Sequence, residues 1–261
     1  MALDRAAAFK TDRPQILALL HDLSDDEWAA PSKCEGWAVR DVVSHMGAAC
    51  HGTFTPWVLK LLAGKDIEEA NNRDAEKRKS WEPAKLLREY EVWGNRVAPA
   101  MKVVQAPGVR SLPVRVAEVG AYPAKMLTSA FVFDHGLHAR YDIAVALGRT
   151  VPPQDENQLG VSLEWMMAGL SVMSGDRFDW LQSPVEFSLV GPAGGTWTVA
   201  PGKKRVKVTA GGTPGAAATI EGPAAGFPVW GTAREPWREA GVAIKGDDQI
   251  GIKFLDSMRI I

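Results

Sequence analysis

The hydrophobic period changes once along the chain, near Pro152-Pro153, and no other feature limits the fold as strongly. Before it, apolar residues recur at three- and four-residue spacing, the mark of amphipathic helices. Beyond it they alternate at a spacing of two, the mark of half-buried strands. A chain that holds both in separate stretches is expected to be α+β. Residues 1–150 are predicted to form a four-helix bundle, and residues 151–261 a smaller α+β domain with a mainly antiparallel sheet. A length of 261 residues suits two such domains.

In the N-terminal stretch, Phe9, Ile16, Leu19, Leu20 and Leu23 predict a helix over 3–23, and Ser24-Asp25-Asp26-Glu27 reads as a capping box ahead of Trp28. A second helix is expected from Val39 to about Leu62, burying Val42, Val43, Met46, Ala49 and Phe54. The polar tract Gly64 to Lys79 reads as a solvated loop or an exposed helix end. Ser80 is the expected cap of a third helix carrying Leu86, Leu87, Tyr90, Trp93, Val97 and Met101, followed by a loop through about Pro123. The fourth helix is expected from about Ala124 to Leu147, with Gly148 as its stop. Beyond the change of period, a helix is predicted over 158–173, and strands over 185–190, 196–199, 206–209, 218–222 and 242–246. Helical segments are expected near 227–230 and 248–258.

Composition excludes several functions. With 30 basic and 31 acidic side chains the net charge is -1, which supplies no field to gather nucleic acid or an anionic membrane. Two cysteines, Cys34 and Cys50, make no disulfide framework and lack metal-pair spacing. A reducing, cytoplasmic setting is the expectation, since no apolar run approaches a membrane span and the start has no signal-peptide pattern. The ten tryptophans are read as core or pocket wall.

The candidate chemistry lies with the histidines. Asp134 and His138 are four apart, so on a helix they share a face with Cβ atoms ~6 Å apart and suit one divalent ion. His45, in the second helix, closes a facial His, Asp, His set if the two helices are neighbours, leaving positions open as in a catalytic site. The spacing alone equally allows core histidines and a simple helix-surface Asp–His pair. Asp41 and Asp142, each one turn from a histidine, are candidates to orient His45 and His138, or plain surface acids. His135 is expected to stand behind the site or to be exposed, His51 lies on another stripe, and His21 ends the first helix. Cys34 sits in a loop without an obvious base, and Cys50 is expected to pack within its helix.

Two blocks carry a resemblance. Cys34-Glu35-Gly36-Trp37-Ala38-Val39-Arg40-Asp41, running on to His45-Met46, resembles the opening of the second helix in the mycothiol-dependent maleylpyruvate isomerase family, whose N-terminal domain is a DinB-like bundle. Asp134-His135-Gly136-Leu137-His138, followed by Asp142-Ile143, is similar to that family's second block. Trp230-Gly231-Thr232-Ala233-Arg234 with Gly246-Asp247 is similar to the sterol-carrier-like domain such proteins often carry. The resemblance implies His45, Asp134 and His138 as ligands of a divalent ion, usually zinc, and mycothiol as the thiol cosubstrate. Two departures stand out: Asp134 replaces the commoner Glu, and Asp142 follows His138 by four positions where three is commoner.

An ion with open positions holds a small thiol as the thiolate near pH 7 and presents it to an electrophile. The expected function is therefore metal-dependent, thiol-using cis–trans isomerisation or S-transfer on a small electrophile. Arg234 is the expected grip on a substrate or thiol carboxylate if the two domains face each other, or else a surface arginine near Glu235. The expected partners are small molecules, with no nucleic acid or membrane, and the protein a monomer or homodimer. Two other readings stand beside it: a non-catalytic binder of apolar ligands whose ion is structural or vestigial, and a metal hydrolase using water.

Overall fold

The computed structural model describes residues 2–56 and 67–260. The chain divides into two compact units, Met1–Gln158 and Leu159–Ile261. The whole is α+β, as the two periodicities require.

The first unit is built on four long helical segments: α1 (Arg5–His21), α3 (Val39–Gly52), α5 (Pro83–Gln105), and α6 (Met126–Leu137) continued by a π-helix (His138–Val145). The short α2 (Asp25–Ala29) precedes α3, and α4 (Ile67–Arg78) lies against it. α3 packs on α5, and α1 on both α5 and α6. Between them lies a core of Phe9, Ile16, Leu20, Val42, Met46, Leu86, Tyr90 and Ile143, all essentially inaccessible. Burying side chains of this size stabilises by about 1.5–3 kcal/mol each relative to exposure, an upper figure because the unfolded chain is itself partly compact.

Local chemistry sets the helix ends. The Ser24 hydroxyl accepts from the Glu27 N–H while the Glu27 carboxylate accepts from the Ser24 N–H, the reciprocal capping box the sequence predicts. Glu27 also receives Arg149 at 2.6 and 3.0 Å. The hydrogen bond from Arg149, then that from the Ser24 backbone, hold the Glu27 carboxyl at about 2, below its ordinary 4.5. A depressed carboxyl stabilises the fold fully above about pH 4.5 and loses that contribution as pH falls towards 2. Arg149→Met is therefore expected to flatten the acid limb of a Tm-against-pH curve in that window; an unchanged limb would show the pair to be inert.

Four local expectations are corrected. The second helix ends at Gly52, because the chain turns through Thr53 to Thr55 ahead of Pro56, whose ring disfavours helix at the residue before it. Phe54 thus leaves the buried stripe and is 45% exposed; the predicted stretch 57–62 lies outside the described residues. The polar tract is helical over 67–78: Ala75 is buried, Asn72 accepts from the Trp37 indole at 2.9 Å, and Arg78 holds Glu89 at 2.7 and 2.9 Å. Pro83 at the first position starts α5, with Glu82 and not Ser80 as the flanking residue, since proline presets the helical φ and its missing N–H needs no partner there. The Pro- and Gly-rich loop contains an antiparallel pair, β1 (Pro113–Val116) and β2 (Gly120–Pro123).

In the second unit α7 (Glu156–Met173) leads into a sheet of order β5-β4-β3-β6-β7: β3 (Val185–Val190), β4 (Gly195–Ala200), β5 (Lys207–Ala210), β6 (Ala218–Pro223) and β7 (Ala243–Gly246). Every pairing is antiparallel except β3 with β6. Val185, Phe187 and Leu189 are buried and alternate with half-buried Glu186 and Ser188, so one face is core. There Phe187 meets Phe227 and Trp230 of α8 (Phe227–Trp230) and Phe254 of α9 (Asp248–Ser257) at centroid separations of 5.3, 5.9 and 6.2 Å.

Candidate metal centre

Two helical segments bring three candidate ligands together. His45 projects from the middle of α3, Asp134 from the last turn of α6, and His138 from the first residue of the π-helix. One donor atom of each lies within 4.8 Å of the others. His45 Nε2 stands 3.3 Å from Asp134 Oδ2, and His138 Nε2 stands 3.3 Å from Asp134 Oδ1. The two imidazole centroids are 5.2 Å apart and nearly perpendicular. Both histidines are buried, whereas the Asp134 side chain stays 37% accessible, so the cluster has one open side.

Asp134 and His138 each stabilise the charged form of the other. Burial opposes the charged form of His138, yet Asp134 beside it, aided by hydrogen bonds to Asp134, Asp142 and Cys34, raises its pKa well above the usual histidine range. Burial likewise opposes ionisation of Asp134, and His138 and then His45 nevertheless hold its carboxyl well below the usual range. The carboxylate is therefore ionised, the form in which it can bind a cation. Ligands of one tetrahedral ion with bonds of about 2.0–2.1 Å stand about 3.3 Å apart, so this donor set fits a divalent ion with one position open.

The residues behind the set are ordered too. His138 Nδ1 lies 2.7 Å from Asp142 Oδ2, and Asp142 is fully buried. The carboxylate thereby holds the Nδ1 hydrogen, so Nε2 is the nitrogen that would bind an ion once its own proton is displaced. The π-helix, whose hydrogen bonds span one residue more than an α-helix, carries both groups. Asp142→Asn is expected to lower metal affinity roughly 10–100-fold with the fold intact. Equal affinity in metal-competition titrations would remove Asp142 from the site.

Other expectations fare differently. Asp41 instead accepts from the Ala38 N–H at 3.0 Å, capping its own helix. Cys34, read as lacking a nearby base, has its sulfur 3.8 Å from His138 Nδ1. The cause is a loop docking: the Lys33 N–H donates to the Asp142 carbonyl at 3.0 Å, so the segment before α3 folds onto the π-helix. Cys34, His138 and Asp142 form a second compact donor group. Its 2.7 Å Nδ1–carboxylate separation is that of a hydrogen bond and shorter than two ligands of one ion adopt. Trp37 from the same loop sets its ring 5.7 Å from that of His45, a wall that only the shared block of Cys34 to His45 could have signalled.

His51 bonds Glu89 at 2.7 Å and stacks on Trp93 at 4.0 Å, while His21 bonds Glu91 at 2.7 Å. His135 is buried, and burial pushes its pKa down to about 3, so the ring is neutral. Burial pushes the Cys50 thiol far up, which leaves it a packing residue. Arg234 lies in the second unit, half-buried, where Nη1 donates to the Thr232 hydroxyl at 3.1 Å.

Comparison with known families gives a match over residues 11–144 to the family described as the mycothiol maleylpyruvate isomerase N-terminal domain. The chain belongs to that family. Membership thus covers the stretch that holds His45, Asp134 and His138. Among solved structures, the chain resembles the mycothiol-dependent maleylpyruvate isomerase with a TM-score of 0.60 and 16% identity, over 92% of this chain and 91% of that one. A histidine-to-alanine mutant of the mycothiol-dependent maleylpyruvate isomerase gives a TM-score of 0.54 at 17% identity, with the same coverage. At such identities the likeness is one of fold. No curated protein matches the chain. No described helix is long and apolar enough to cross a membrane.

Proposed function

We propose that this member of the mycothiol maleylpyruvate isomerase family is a metal-dependent enzyme that uses mycothiol for cis–trans isomerisation, or S-transfer, on a small electrophile. His45, Asp134 and His138 are its ligands for a divalent ion, zinc first. The observation that carries the reading is the convergence of two imidazole nitrogens and a carboxylate within 4.8 Å, with the carboxylate open on one side. When bound, the ion supplies the positive charge that keeps a thiol ionised near pH 7.

The chain's own residues do the rest. Asp142 fixes the His138 tautomer, and the bundle holds His45 against Trp37, giving the site one indole wall. Thiol chemistry at this site would run by addition of a thiolate to one carbon of an enone's cis double bond, the displaced electron pair passing to the conjugated carbonyl oxygen, so that the bond becomes single and can rotate. Loss of the same thiolate restores the double bond as trans, so the thiol is regenerated; in S-transfer the adduct is protonated and released. Arg234 is proposed as the grip on a carboxylate of substrate or thiol, because its planar fork binds such groups bidentately. Its replacement by alanine is expected to raise KM roughly tenfold or more with kcat less affected, as for a lost charge-assisted bond.

The test is turnover of a cis-enone dicarboxylate such as maleylpyruvate by chelated protein, with zinc and mycothiol restored singly and together. Activity only with both is the expected result. Cleavage of the substrate by water, with metal and without thiol, would make the protein a hydrolase. Apolar-ligand binding with no turnover would make it a binding protein.

A further inference from the structure

His135 follows Asp134 directly and is 1% accessible. Phe9, Tyr90 and Phe131 enclose its ring at centroid distances of 5.9, 5.4 and 5.3 Å. The Tyr90 hydroxyl stands 3.4 Å from Nδ1. Burial keeps that hydroxyl protonated, so it has a hydrogen to give. Nε2 is the ring nitrogen that faces the Asp134 carboxylate, so the single hydrogen of the neutral ring belongs on Nε2, and Nδ1 accepts from the Tyr90 hydroxyl.

That nitrogen is buried and has no hydrogen-bond partner among the described residues. The nearest acid is Asp134, whose Oδ2 lies 3.9 Å away, about 1 Å beyond a hydrogen bond. Asp134 meanwhile is held at 3.3 Å by His45 and by His138, the two groups with which it would share an ion. A carboxylate ligand needs a donor that does not itself bind the ion, and a buried N–H without an acceptor needs a carboxylate. A small turn of Asp134 satisfies both.

We propose that His135 is a positioning residue for Asp134: its Nε2–H fixes Oδ2 for metal binding, and Tyr90 fixes the tautomer that makes this possible. The inference rests on the metal reading of the site. It gives a specific role to a histidine that the sequence sets either behind the site or on the surface.

The test separates the donor from the ring. His135→Phe keeps an aromatic side chain in the cage and removes the N–H, whereas His135→Gln keeps an amide donor and removes the ring. Zinc and cobalt affinities are measured by chelator competition on the full chain, alongside the Tm of the metal-free protein. The phenylalanine variant is expected to lose affinity roughly 10–100-fold with an unchanged or higher metal-free Tm, and the glutamine variant to recover most of the loss. Tyr90→Phe, which keeps the packing, is expected to give a smaller loss in the same direction. Wild-type affinity in His135→Phe, or equal losses in both His135 variants, would overturn the proposal. A wild-type chain that binds neither ion would overturn the metal reading itself.

Discussion

Replacing His138 by alanine is expected to abolish thiol-dependent turnover and to lower metal affinity by more than 100-fold, beyond the 10–100-fold typical of a residue one layer behind the ion. The residue has two connections, Nε2 at 3.3 Å from Asp134 and Nδ1 at 2.7 Å from Asp142. Its loss removes a candidate ligand and deprives the fully buried Asp142 of that partner. A buried acid that loses such a bond costs about 1–3 kcal/mol or more, so Tm should fall as well. His138→Gln separates the two effects, since its amide can still meet Asp142. Retained turnover in either variant, at the wild-type zinc requirement, would place the chemistry elsewhere.

The largest expected loss of stability comes from Asp12→Ala. Asp12 in α1 is buried and accepts from both terminal nitrogens of Arg140, at 2.5 and 3.3 Å, and Arg140 also reaches Gln15 at 2.9 Å and the Pro152 carbonyl at 2.8 Å. Removing one partner strands the other charge, for which about 3–5 kcal/mol is typical. For a chain of this size that corresponds to a fall of roughly 6–20 °C in Tm. The double replacement Asp12→Ala with Arg140→Met should recover much of it, because neither charge is then left alone. Arg140 lies two residues past His138, so the pair also anchors the π-helix that carries the site. A shift below about 1 °C in Asp12→Ala would show the pair to be energetically idle.

Much of this was legible in the residues, and each failure has its own physical cause. Apolar periodicity marked α1, α3, α5 and each strand of the larger sheet, because burial on one face imposes that pattern. It was silent on α4, which carries no apolar stripe in the sequence and which Asn72 and Arg78 tie to its neighbours by hydrogen bonds. The π-helix at His138–Val145 was equally hidden, because Asp134 and His138 keep helical spacing on either side of the change. In the site, spacing placed Asp134 beside His138, while only the packing of α3 brings His45 to them. The approach of Cys34 depends on a backbone bond from Lys33 to Asp142, which no side-chain pattern encodes.

The central claim is that His45, Asp134 and His138 hold a divalent ion. Mass spectrometry under native conditions on tag-free protein, compared with Asp134→Ala, tests it most directly. The account predicts close to one zinc or similar ion per wild-type chain and none in the variant. A wild-type chain that takes up no ion when zinc, cobalt and manganese are each offered would contradict it, as would an ion that the variant retains.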